Sequence, residues 1–123
     1  MKTKVVILIC ALIIIWSCKP SIEETADLNV QNWIHGSENC EDNVEPPIQV
    51  VKYNSNTWIL RQNKCTNYEA PFMFLFFGED KVLLMDTGAT KDDEIFPLSN
   101  TVNQIISDWS KKWTSRVNCG SYS

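Results

Sequence analysis

Phe72-Met73-Phe74-Leu75-Phe76-Phe77-Gly78-Glu79-Asp80-Lys81-Val82-Leu83-Leu84-Met85-Asp86-Thr87-Gly88-Ala89 decides how this chain is read. Two apolar runs flank a short acidic turn that contains a glycine, the pattern of a β-hairpin. Neither run carries a polar residue, so both strands are expected to be buried on both faces. The second run stops abruptly on Asp86 and the Gly88 turn. An acid placed where an apolar strand ends is held rigidly at the rim of a sheet, where folds concentrate their chemistry.

N-terminal to this hairpin, Ile48, Val50, Val51 and Tyr53 predict one strand, and Trp58, Leu60 and Arg61 predict another after an Asn54-Ser55-Asn56 turn. With the hairpin, this makes a meander of about four mostly antiparallel strands. Beyond Gly88 the period changes. Leu98, Val102, Ile105, Ile106, Trp109 and Trp113 fall at helical spacing on one face. Pro97 with Ser99 or Asn100 marks a helix start, and Lys111 and Lys112 suit the negative end of the helix dipole, placing the helix end near Lys112. The aromatic stripe is explained by packing on the sheet. Lys91-Asp92-Asp93-Glu94 reads as a solvated loop, since nothing apolar surrounds those acids to shift their pKa values. The class is therefore α/β, more narrowly α+β, with strands first and one helix after them.

The N-terminus carries a different signal. Met1-Lys2-Thr3-Lys4 is followed by an unbroken apolar run over residues 5–16, then by Ser17 and Cys18. A charged start, an apolar stretch too short to span a bilayer stably and a small residue at the end describe an export signal. Ile15-Trp16-Ser17-Cys18 resembles the lipobox of bacterial lipoproteins, which implies cleavage after residue 17 and acylation of Cys18. The organisation expected is a signal peptide over residues 1–17, a lipidated N-terminus and polar tether over 18–47, and a domain over 48–123. The expected partner is a membrane, reached through the lipid anchor on the periplasmic or cell-surface side.

The chain holds 15 acidic and 11 basic residues, for a net charge of −4, and loss of Lys2 and Lys4 with the signal makes it more negative. Such a domain has no electrostatic attraction for nucleic acid, and no basic patch interleaved with aromatics argues otherwise. Of five cysteines, Cys10 leaves with the signal and Cys18 would carry lipid, so Cys40, Cys65 and Cys119 remain. Two of them can pair in an oxidising compartment, and the odd count leaves one free. His35-Gly36-Ser37-Glu38-Asn39-Cys40-Glu41-Asp42 gathers a histidine, a thiol and acids, but His35 is the sole histidine of the chain and the spacing fits no zinc pattern. This stretch reads as a solvated loop with Cys40 available for a disulfide.

Asp86-Thr87-Gly88 also occurs in two enzyme families. Leu84-Met85-Asp86-Thr87-Gly88-Ala89 fits the local pattern of a dimeric aspartic protease, in which two carboxylates meet across the dimer axis and share a proton. Those proteases need a flap hairpin and a further apolar segment after the motif, whereas here a helix follows. The wider context, from Thr57 through Cys65, Glu69-Ala70-Pro71-Phe72, the acidic turn and Asp86-Thr87-Gly88 into the amphipathic helix, resembles the opening of a metallo-β-lactamase-fold hydrolase over residues 48–110. The resemblance implies a partial αββα sandwich whose first sheet leads into the first helix. It also implies that Asp86, with Thr87 and Gly88, supports the metal loop from behind and supplies no catalysis.

In an intact relative, zinc held by a later His-x-His-x-Asp-His loop would lower the pKa of bound water to make a nucleophile. That loop is not present in this sequence. No catalytic, cofactor-binding or metal-ligating residue is therefore assigned. The chain reads as the N-terminal part of such a hydrolase, truncated before the zinc ligands and inactive alone. A membrane-tethered binding module and an aspartic protease using Asp86 are the alternatives. A sheet lacking its second layer would also expose residues 72–77 and an unpaired strand edge, and so self-associate.

Overall fold

A computed structural model describes residues 23–120, with side chains through residue 114. The expected signal over residues 1–17 and the lipidation site Cys18 lie outside the described residues. Four strands, β1 (Ile48–Lys52), β2 (Thr57–Gln62), β3 (Phe72–Phe77) and β4 (Val82–Met85), form one antiparallel sheet in the order β1-β2-β3-β4. One helix, α1 (Leu98–Gly120), follows. This is the α+β arrangement that strand and helix periodicity predict.

The sheet has two different faces, set by the alternation of side chains along each strand. Register pairs Val50 with Leu60, Leu60 with Met73, and Leu75 with Leu84, which places these residues on one face. That face carries the core: Ile48, Leu60, Met73, Leu75 and Phe77 are buried together with Phe96 and Leu98, and Val102, Ile105, Ile106 and Trp109 of α1 pack against them. Trp109 stacks on Phe77 with ring centroids 4.6 Å apart, and its indole N–H donates to the Ser55 carbonyl at 3.0 Å, tying the helix to the β1–β2 turn.

On the opposite face, Val51 pairs with Ile59, Ile59 with Phe74 and Phe74 with Met85 in a row across all four strands, with Phe76 and Leu83 beside it. The expectation that the β3–β4 hairpin is buried on both faces is corrected here. Met73, Leu75 and Phe77 are buried, but Phe72, Val82, Leu83 and Met85 are exposed, Leu83 at 57%. The helix covers one face only; on the other, Ile59 is buried and Val51, Phe74 and Phe76 are half-buried, and exposure is concentrated on β4.

Two further differences concern the ends of the domain. The segment read as a tether lies against the sheet from Ala26 on: its N–H donates to the Tyr53 carbonyl at 2.7 Å, and the Ile34 N–H donates to Gln49 Oε1 at 2.9 Å. Ile34 is buried, and Trp33 meets Phe72 edge-on at 4.9 Å, covering one end of the outer face. Hydrogen bonds to a strand edge make an ordered segment without any hydrophobic period, so composition gave no sign of it. Helix α1 also runs past Lys112 to Gly120. No proline or glycine interrupts Leu98 to Cys119, and Gly120 is a residue that commonly ends a helix.

Candidate functional site

Asp86, Thr87 and Gly88 sit where β4 ends. Asp86 has a left-handed backbone (φ 67°), and its Oδ1 accepts the Gly88 N–H at 2.8 Å, so the carboxylate closes its own turn. Asp86 and Thr87 are exposed. Gly88 also has positive φ (75°), and a Cβ there would lie 2.6 Å from the Phe96 ring and 3.0 Å from Gln62 Oε1. Glycine is required on both counts, the backbone conformation and the close approach.

What holds this turn is Gln62, the last residue of β2. It falls on the core face with Trp58 and Leu60 and is fully buried. Its Oε1 accepts the Ala89 N–H at 2.9 Å, and its Nε2 donates to Thr90 Oγ1 at 2.9 Å and Thr66 Oγ1 at 3.0 Å. Thr90 Oγ1 in turn donates to the Thr66 carbonyl, and Asn67 Nδ2 donates to the Ala89 carbonyl at 2.9 Å. The Asp86 turn is thus clamped between the β2–β3 loop and Phe96, with every polar group of the Gln62 amide paired as burial demands. An open groove of about 460 Å³ runs beside it, floored by Leu84, Phe96, Leu98 and Val102 and rimmed by Thr87 and Thr90.

Asn63, also fully buried, is the second polar node. Its backbone N–H donates to the Pro47 carbonyl, its Nδ2 donates to the Pro46 carbonyl at 3.1 Å, and its Oδ1 accepts the Cys65 N–H at 2.8 Å. Gly36, with φ 75°, approaches so closely that an added Cβ would lie 2.7 Å from Asn63 Oδ1. Beside it Cys40 and Cys65 form a disulfide, with Cα atoms 5.2 Å apart. This bond joins the N-terminal segment to the β2–β3 loop, and closing a loop of this size stabilises a fold by about 3 kcal/mol. The sequence left the pairing among Cys40, Cys65 and Cys119 open, and the side chain of Cys119 lies outside the described residues.

The donor set does not suit zinc. Cys40 is committed to the disulfide, and among the described residues no three histidine, cysteine, aspartate or glutamate side chains come together. Asp86 is exposed, and its Oδ1 is occupied by the Gly88 N–H. The sequence singled out Asp86 but missed Gln62 and Asn63, which order its surroundings. The available signal was positional: Gln62 continues the alternation Trp58, Leu60, Gln62 and therefore points into the core. Comparison with known proteins finds no match: no family model fits the chain, and no curated protein or solved structure is similar to it.

Proposed function

We propose that this chain supplies the opening sheet and first helix of a metallo-β-lactamase-fold hydrolase, carried as an exported lipoprotein, and that it has no catalytic residues of its own. The observation that carries this reading is the two-faced sheet. One face is covered by α1, while the other carries an apolar row across all four strands that is buried at Ile59, half-buried at Val51 and Phe74, and exposed toward the hairpin end at Leu83 and Met85. A self-sufficient two-layer domain needs one apolar face, and a sheet at the centre of an αββα sandwich needs two.

Two further features support the same reading. β4 runs through the ordered Asp86 turn into α1, and no strand pairs with its outer edge among the described residues, an order that suits the first two parts of a βαβ unit. A right-handed crossover would bring a parallel strand alongside β4, beside the groove floored by Leu84 and Leu98. In the family that this sequence resembles, the next strand delivers the zinc-binding loop. The Cys40–Cys65 disulfide is in keeping with an oxidising, exported environment.

The residues here do not fit a zinc site, so no catalytic step is assigned to them. Translation of the DNA beyond the codon for Ser123 in all three frames tests the proposal. A His-x-His-x-Asp-His segment preceded by an apolar strand is the expected result, and its absence from every frame overturns the hydrolase reading. A membrane-tethered binding module is the second reading, favoured by an aromatic cleft beside the middle of the helix.

A further inference from the structure

That cleft opens between the β1–β2 turn and the second half of α1. It has a volume of about 230 Å³, and its walls include Trp58, Trp109, Trp113, Lys52, Asn56 and Asp108. The tryptophans belong to one aromatic ladder. Trp58 meets Phe77 edge-on at 4.8 Å, Phe77 stacks on Trp109 at 4.6 Å, and Trp109 stacks on Trp113 at 5.4 Å with the rings nearly parallel, at 9°. The inner members fill the core, but the ladder continues one ring further than the core requires: Trp113 is 47% exposed. One of its faces is taken by Trp109, so its outer face is the surface it offers.

The charges around the cleft narrow the class of ligand. A cation would be drawn to the indole faces, yet Lys52 Nζ already lies over the Trp58 ring, 5.5 Å from its centroid, and Lys112 adds a second positive charge. An anion would meet Asp108, whose carboxylate accepts from Gln104 Nε2 at 3.0 Å and Lys111 Nζ at 3.4 Å. Those two bonds, Gln104 first, hold the Asp108 carboxyl below its ordinary value, so it is an ionised acceptor at neutral pH. Lysine ammoniums donate only, the carboxylate accepts only, and the Asn56 amide does both. Hydroxyl groups, each donor and acceptor, can use all three, and a ring with apolar C–H groups on its face suits the exposed indole.

We propose that this cleft is a saccharide-binding site, with one neutral pyranose ring stacked on Trp113 and its hydroxyls hydrogen-bonded by Asp108, Asn56 and the lysine amines. The volume is below the roughly 300–1,000 Å³ of sites that engulf a drug-sized ligand, so a single ring is seated and the rest of the glycan extends into solvent. The site lies on the turn and helix and does not rest on the hydrolase reading.

The test is saturation-transfer NMR of the full chain with cellotetraose and, separately, chitotetraose, with titration to a dissociation constant. Saturable binding in about the millimolar range is expected for a shallow one-ring site. Trp113→Ala should weaken it at least about tenfold, while Trp113→Phe, which keeps a smaller platform, should retain most of it. Both variants should keep the helical circular dichroism, since this indole is half exposed. Absence of saturable binding of either glycan to the wild-type chain overturns the proposal, as does unchanged affinity in a folded Trp113→Ala protein. Binding of a proline-rich peptide in the cleft without saccharide binding also overturns it.

Discussion

Replacing Gln62 with alanine should loosen the Asp86 turn and destabilise the whole sheet. The wild-type side chain is fully buried and makes three hydrogen bonds, to Ala89 N–H, Thr90 Oγ1 and Thr66 Oγ1, all at 2.9–3.0 Å. At a net value of about 1 kcal/mol each, loss of these bonds costs about 3 kcal/mol. Deleting the buried side chain adds a cavity cost, while partial rehydration of the half-buried Ala89 and Thr90 recovers some of it. A net loss of about 2–4 kcal/mol follows, a large part of the roughly 5–15 kcal/mol that stabilises a typical domain. Gln62→Glu separates the two ends of the amide: it keeps an acceptor for Ala89 but removes both Nε2 donors and buries a carboxyl group.

Urea unfolding followed by tryptophan fluorescence at low micromolar concentration measures the loss. Hydrogen exchange at the Ala89 amide reports on the turn itself. Both variants should lower the midpoint, and Ala89 should exchange faster in Gln62→Ala. If Gln62→Ala lies within about 0.5 kcal/mol of wild type, the range of an ordinary surface substitution, the clamp is not the source of order in this loop.

Gly88→Ala combines positive φ with a clash against Phe96, and should cost about 2–4 kcal/mol in the same unfolding assay. Wild-type protein should bind hydrophobic dyes and associate with rising concentration through the exposed Leu83 and Met85 and the β4 edge, which is unpaired among the described residues; Leu83→Lys with Met85→Lys should suppress both in light scattering without loss of helix signal. If Cys18 is acylated, cells should incorporate labelled fatty acid into the protein, and Cys18→Ala should abolish the label and release the protein from membranes.

The elements of this fold were legible because each has a strong local signature. Alternation marked β1 and β2, uninterrupted apolar runs marked β3 and β4, and the 3.6-residue stripe from Leu98 to Trp113 marked α1. Burial was less legible: the run Phe72–Phe77 looks identical whether one or two layers cover it, since side-chain identity records what a strand tolerates and not what packs against it. Asp86 and Gly88 were visible because a strand ended on them. Gln62 and Asn63 were not, because a buried amide differs from an exposed one only through partners distant in sequence, such as Thr90 and Pro46. The order of residues 26–36 was hidden for the same reason, as it depends on backbone and glutamine hydrogen bonds to β1 and the loop after it.

The placement of these polar nodes has a consequence for how the domain would meet a covering layer. Gln62 belongs to the helix-facing side of the sheet, and with Thr66, Asn67 and Phe96 it fixes residues 86–90 from that side alone. The outer row Val51, Ile59, Phe74 and Met85 takes no part in the clamp. A layer added over the exposed part of that face, at Leu83 and Met85, would therefore bury apolar surface, at about 25 cal/mol per Å², without having to shape the Asp86 turn, which is already formed. Stability and turn geometry are thus separable: substitutions on the outer row should change association and leave Ala89 exchange unaffected, whereas Gln62 substitutions should change Ala89 exchange whether or not the outer face is covered.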